Sequence, residues 1–302
     1  MKPKRIILDT DIGTDVDDCL ALALILNSPE LDLVAVTTVY GDTVLRARMV
    51  LKLLALRGVG GIPVAAGAEK PLLGSRPVYW AGYEGRGLLG PEDAALHPVD
   101  EGAVALMART VIANPGQITL VTIGPLTNAA LALQSEPGLA RCLAGLVMMG
   151  GVTGGHECRH LPRAEHNFRS DPEAVRVVLA AGVPTTIVPL DVTTRVRIDA
   201  GGLAMIRARD DAFHRAVAEQ VERYPRFAEQ GWTNLHDPLA VAALIDPTLL
   251  HFEPVKADVE VQGEKAGELL SSSPRPGEPA TACIALDVEV ERSERLILGR
   301  LA

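Results

Sequence analysis

Carboxylates are the side chains with chemical potential in this chain, and five of them, Asp9, Asp11, Asp15, Asp17 and Asp18, fall in the single stretch DTDIGTDVDD. Anions at this density repel one another, so the stretch calls for a positive partner. A donor set of hard oxygens with no Cys or His among them favours Ca²⁺ or Mg²⁺ over zinc or copper. One or two such acids would be accounted for as caps of a helix N-terminus, where the dipole favours negative side chains; five exceed that need. Gly13 stands alone, so this is not a glycine-rich phosphate cradle. A further acid, Asp237, follows His236 in NLHDP and opens the apolar helix Leu239–Ile245. A His-Asp pair before a helix usually caps it, but here it could also complete an oxygen-ligand shell and set His236 beside a reacting centre.

The elements that must position these residues alternate. The apolar run Ile6-Ile7-Leu8 reads as a buried strand, the acids as a loop, and Cys19–Asn27 as a helix. Strands are expected at Leu31–Val39, Val64–Ala66, Ile118–Ile123, Leu143–Met149 and Thr185–Leu190, and helices at Thr43–Arg57, Asp100–Ala113, Ala129–Gln134 and Asp171–Ala181. This beat implies an α/β fold with a mostly parallel sheet and helices on both faces. Residues 198–245 read as mostly helical, broken near Tyr224-Pro225 and at Gly231. Val255–Val261 and Cys283–Val290 alternate like strands at a sheet edge or in a small add-on. The Gly/Pro-rich stretch Gly67–Pro98 is long for an idle loop and reads as functional. In a parallel sheet the polar strand ends Asp9–Asp18, Tyr40-Gly41-Asp42, Ile123-Gly124-Pro125, Met149-Gly150-Gly151 and the segment Ala164–Asp171 share one edge. That convergence is the case for a site there.

Composition sets the outer bounds. With 302 residues, 48% hydrophobic and 22% charged, the chain can bury a sizeable core, and one domain over residues 1–302 is expected. A net charge of −9 argues against nucleic acid or an anionic membrane as partner and leaves a small neutral or cationic molecule open. Met1–Arg5 starts like a signal peptide, but Asp9 breaks the apolar run, and no stretch reaches membrane-spanning length; a cytoplasmic protein is expected. Cys19, Cys142, Cys158 and Cys283 are scattered, as suits reduced thiols.

Taken together and in this order, DTDIGTDVDDCLAL, VTTVYGD, TIGPLTN, VMMGG, AEHN followed by DPEAV, and LHDPLAVAA resemble the inosine-uridine-preferring nucleoside N-ribohydrolase family over nearly the whole chain. The resemblance implies a Rossmann-like sheet, a Ca²⁺ ion at the strand ends, hydrolysis of the N-glycosidic bond of ribonucleosides, and assembly as a homodimer or homotetramer. It implies that Asp11 binds the metal and deprotonates the attacking water, that Asp18, Asp237 and the Ile123 carbonyl complete the metal shell, and that Asp17 contacts the ribose hydroxyls. Glu165 and Asn167 would hold the ribose, Met149 would line the pocket, and His236 would protonate the leaving base.

Three positions depart from that pattern. The commoner acidic motif is shorter, so Asp15 competes with Asp17. Asp42 stands where many members have asparagine; it could still accept from a ribose hydroxyl or touch the metal. Tyr83 occupies a place where a histidine near the base is expected. Trp80, Tyr83, Tyr224 and Trp232 are candidates to stack on a nucleobase, with core packing or subunit contact as the alternative. His156, Cys158 and His160 lack a second ligand pair and read as coincidence; His166, His97, His214 and His251 read as surface or structural. Two rivals share the acids. A Ca²⁺-dependent ribosyl-binding protein without turnover would need no His236, and an aspartyl Mg²⁺ phosphohydrolase would need a lysine and a Ser/Thr at later strand ends.

Overall fold

Ile6, Ile7 and Leu8 are each fully buried, which takes two cores. Ile6 and Leu8 pack with Leu20 and Leu24 on one side, and Ile7 packs with Leu106, Leu126 and Leu146 on the other. Their strand, β1 (Lys4–Thr10), therefore lies in a sheet covered on both faces, the setting that continuous apolar strands require. The structure is a computed structural model and describes residues 2–154 and 161–302.

Further strands are β2 (Leu31–Thr38), β3 (Val64–Ala66), β4 (Ile118–Thr122), β5 (Leu143–Met149), β6 (Thr185–Val188), β7 (Arg197–Asp199), β8 (Trp232–Asn234), β9 (Leu250–Val259), β10 (Leu269–Ser272) and β11 (Ala282–Val288). Nine of them form one sheet in the order β10-β9-β11-β6-β5-β4-β1-β2-β3. The run from β6 to β3 is parallel, β11 joins β6 in parallel, and β9 pairs antiparallel with both β10 and β11.

The helices are α1 (Asp17–Leu26), α2 (Thr43–Arg57), α3 (Ala103–Ile112), α4 (Thr127–Ser135), α5 (Leu139–Cys142), α6 (His166–Ser170), α7 (Pro172–Ala180), α8 (Leu190–Thr193), α9 (Ala200–Arg207), α10 (Ala212–Arg223), α11 (Pro225–Gln230), α12 (His236–Ile245) and α13 (Val290–Leu301). One face of the sheet is covered by α1, α2, α10, α12 and α13, and the other by α3, α4 and α7. Among the described residues no helix is long and apolar enough to cross a membrane.

The chain leaves β1 toward β2 and β3 on one side and returns through β4, β5 and β6 on the other. Strand order thus reverses between β1 and β4, and a crevice opens beyond the carboxyl ends at such a switch point. Asp11 follows β1 there, and Ile123 follows β4.

Several expectations are refined. The strand-like runs near 255 and 283 are β9 and β11, which extend the main sheet at its edge. The segment 198–245 does break at Pro225 and Gly231, but β7 and β8 also form a two-stranded ribbon there. Strands of three residues are too short to show a period. Gly67–Pro98 carries only a 3-10 turn, Pro91–Ala95. His156, Cys158 and His160 lie outside the described residues.

Candidate active site

The acidic loop is tied back onto the strand that delivers it. The Thr10 hydroxyl accepts from the Ile12 amide at 3.1 Å and donates to Asp18. Asp17 and Asp18 form the first turn of α1, and Asp237 lies in the first turn of α12, which packs beside α1. Carboxylate oxygens of Asp17, Asp18 and Asp237 all lie within 4.8 Å of one another, and all three side chains are buried. Two helix N-termini thus converge on one group of anions, and both dipoles favour it.

Asp11, buried, lines the same cleft. Burial, with Asp15 next, raises Asp17 to about 8. Burial and then the neighbouring carboxylates raise Asp18 and Asp237 well above the ordinary range. Asp11 is also raised by burial, against the pull of Arg46 and His166. Beneath the cleft, Asp9 accepts from Thr37 at 2.6 Å and Asn128 at 2.9 Å, and burial raises it to about 7. Crowded, desolvated carboxylates of this kind favour a cation among them, and an all-oxygen donor set suits a hard divalent ion. Asp15 is exposed and stands outside the close group, so the structure sets Asp17 in the cluster.

The opposite wall of this cleft, about 270 Å³, comes from later strand ends. The Asn167 side-chain amide donates to the carbonyls of Ile123 at 3.0 Å and Met149 at 3.1 Å, which joins the ends of β4 and β5 to α6. Glu165 caps α6, accepting from the amides of Asn167 at 2.8 Å, Phe168 at 3.1 Å and Gly151 at 3.2 Å. His236 is held through Nδ1 by the Thr193 hydroxyl at 2.7 Å. Burial, aided by Arg226, lowers its pKa to about 3. This shift favours the neutral imidazole.

Three expected residues are not brought to this wall. Asp42 is exposed and accepts from the Leu45 amide at 2.9 Å as the cap of α2, a task that occupies its carboxylate. Tyr83 lines a neighbouring cavity of about 260 Å³ that meets the cleft at Thr14 and Asp15, and its hydroxyl donates to the Thr14 carbonyl at 2.9 Å. Trp232, on β8, is flanked by the guanidinium groups of Arg197 at 4.0 Å and Arg226 at 4.9 Å from its ring centroid.

His166, read from sequence as surface or structural, lines the cleft instead. Its Nε2 lies 3.9 Å from Asp11 Oδ2, and its ring is met edge-on by Tyr40 and Tyr79. Its place inside AEHN, between two residues singled out for the ribose, was the available signal.

A group of buried acids at the switch point of a parallel sheet, with a further carboxylate and a polar shelf facing it across a small cleft, makes this the candidate active site. Residues 6–295 match the inosine-uridine preferring nucleoside hydrolase family, and the chain belongs to it: it is an enzyme that hydrolyses ribonucleosides. It is 34% identical to the pyrimidine-specific ribonucleoside hydrolase RihA of Citrobacter koseri over 308 residues, covering 98% of this chain and 97% of that one. RihA of Salmonella arizonae is 35% identical over 307 residues, with the same coverage. Among solved structures, the plant nucleoside hydrolase PpNRh1 superposes with a TM-score of 0.85 at 28% identity, covering 99% of both chains. A purine-preferring ribonucleoside hydrolase from Gardnerella vaginalis gives 0.84 at 27%, covering 99% of this chain and 98% of its own.

Proposed function

We propose that this enzyme is a Ca²⁺-dependent ribonucleoside N-ribohydrolase. The carrying observation is the buried group Asp17, Asp18 and Asp237 beside Asp11. Asp11, Asp18, Asp237 and the Ile123 carbonyl would hold the ion, which when bound supplies a fixed positive charge that gathers the carboxylates and the sugar hydroxyls. Asp11 takes the proton of the attacking water. Asp17 and Asn167 engage the ribose hydroxyls, Glu165 keeps α6 and hence Asn167 in place, and Met149 lines the sugar pocket. The N-glycosidic bond breaks through an oxocarbenium-like centre, whose positive charge the fixed carboxylates stabilise. His236, neutral and held by Thr193, hydrogen-bonds the departing base. The curated relatives named above are pyrimidine-specific, which supports uridine and cytidine as the first substrates. Assembly as a homodimer or homotetramer belongs to the same reading and is read out by light scattering.

The test measures free base released from ribonucleosides and their 2′-deoxy forms, with Ca²⁺ and after chelation. A site built around the ribose hydroxyls leaves polar groups unpaired with a deoxy sugar, so kcat/KM should fall by at least about 10²-fold. Chelation should abolish turnover and Ca²⁺ restore it. Asp11→Asn, nearly isosteric, should stay folded and lose at least about a hundredfold in kcat. Equal rates on both sugars, or full activity in chelator, would sink this reading.

A further inference from the structure

The acidic loop rests on a buried cation that the reaction itself does not call for. Arg46, on α2, is 0% exposed, and among the described residues no carboxylate pairs with it directly. Burying a guanidinium away from water is costly unless its N–H groups are satisfied. Here they are spent on the loop and its neighbours. Nη1 donates to the carbonyls of Asp11 and, at 2.7 Å, Ile12; Nη2 donates to the Thr14 hydroxyl at 3.3 Å; Nε donates to the Tyr40 carbonyl at 2.7 Å.

The surroundings are shaped to the guanidinium. Tyr40 has φ 69°, an uncommon region for a side chain of that size, in the turn that also brings its carbonyl to Arg46 Nε. Gly41 follows at φ 79°, and a Cβ there would lie 2.6 Å from the Trp80 ring. That ring lies over the guanidinium, 4.9 Å from its carbon to the centroid. Trp80 belongs to the long Gly/Pro-rich segment, which also grips the loop through Glu84: its carboxylate accepts from the Thr14 hydroxyl at 3.0 Å and from the amides of Ala81 and Gly82. One planar fork therefore joins the end of β2, the acidic loop and the segment around Trp80.

We propose that Arg46 is a positioning residue for the hydrolysis: it fixes the main chain from Asp11 to Thr14, so that the Asp11 carboxylate stands beside Asp17, Asp18 and Asp237 before any ligand arrives. Trp80 in turn holds the fork in its plane. Lysine retains the charge but has no fork to reach separated acceptors. Glutamine retains an amide donor but no charge.

The experiment compares Arg46→Lys, Arg46→Gln and Trp80→Leu with the wild type in melting temperature, in kcat and KM for uridine, and in Ca²⁺ affinity by calorimetry. A carboxylate displaced by an ångström costs about a hundredfold, so Arg46→Gln should lose about 10² in kcat and Arg46→Lys about 10-fold, with KM within about threefold. Ca²⁺ binding should weaken in both. Trp80 does not line the cleft, and Trp80→Leu should lower kcat by about threefold or more at unchanged KM.

Wild-type kcat in a folded Arg46→Gln protein overturns the assignment. So does tighter Ca²⁺ binding with kcat retained, which would make Arg46 a charge alone, or a loss of kcat, KM and stability in parallel, which would make it only structural. If neither Arg46 variant folds, Trp80→Leu decides, and an unchanged kcat there overturns the proposal. The uridine readout rests on the function proposed above. Should the wild type cleave no nucleoside, that function fails, and Ca²⁺ affinity alone judges Arg46: weaker binding supports its role, equal or tighter binding refutes it.

Discussion

Gly124 follows Ile123 at the end of β4, and a Cβ on it would lie 2.8 Å from Asp11 Oδ1 and 2.9 Å from the Asp11 amide nitrogen. The backbone has little room to yield, because the Ile123 amide is held by the Asp9 carbonyl at 2.9 Å. Gly124→Ala is therefore expected to push the Asp11 carboxylate aside and lower kcat by about 10²-fold, the scale of an ångström's misplacement. Steady-state kinetics on a folded variant checks it; wild-type turnover would show that the contact is slack. The motif TIGPLTN was legible as a strand-end turn, but nothing in the letters says that a missing side chain makes room for Asp11. Arg46 was equally silent, one charged position in a helix of ordinary apolar spacing, and its burial became visible only once the carbonyls of Asp11, Ile12 and Tyr40 were placed around it. Side chains with two plausible occupations, such as Asp42 as cap or sugar ligand, are sorted only by their partners.

At the scale of elements, α1 and α12 begin at the same point in space; sequence read Asp237 as a helix opening but left Asp17 and Asp18 in the loop, whereas they form the first turn of α1. The convergence of the two helices was not legible, because local pattern carries no distance between residues 18 and 237. In the metal-free protein this convergence has a measurable cost. Asp17 is raised to about 8, and Asp18 and Asp237 are raised well above the ordinary carboxylate range, in each case chiefly by burial. Between that ordinary range, about 4, and about 8 the folded state binds more protons than the unfolded, so stability falls as pH rises through this window. The chelated protein should melt higher at about pH 5 than at about pH 8, and saturating Ca²⁺, which binds the ionised form, should flatten or reverse the slope. Scanning fluorimetry at several pH values, with and without the ion, gives the answer. A chelated protein that melts higher at the alkaline end would contradict the raised values.

For the whole molecule, alternation of apolar runs and helical spacing was enough to read a parallel sheet covered on both faces, since each strand's burial is written in its own letters. The order β10-β9-β11-β6-β5-β4-β1-β2-β3 and the reversal beside β1 were not, because they depend on which strands pair across long separations. That reversal divides the site unevenly along the chain. Asp11, Asp17, Asp18, Glu165 and Asn167 all precede α10, whereas His236 and Asp237 follow it. Between α9 and α10 the chain makes an exposed turn at Asp210, with φ 47°, the kind of tip at which chains tolerate cutting. A protein severed there becomes two fragments, 1–210 and 211–302, each holding part of the proposed ion site. The ion would then be a removable glue: the fragments should co-elute and regain turnover with Ca²⁺ and separate more readily in chelator, and reassembly indifferent to the ion would rule this out. That behaviour would make a hydrolase of this architecture a split reporter, in which a divalent ion and not a fused partner brings the halves together.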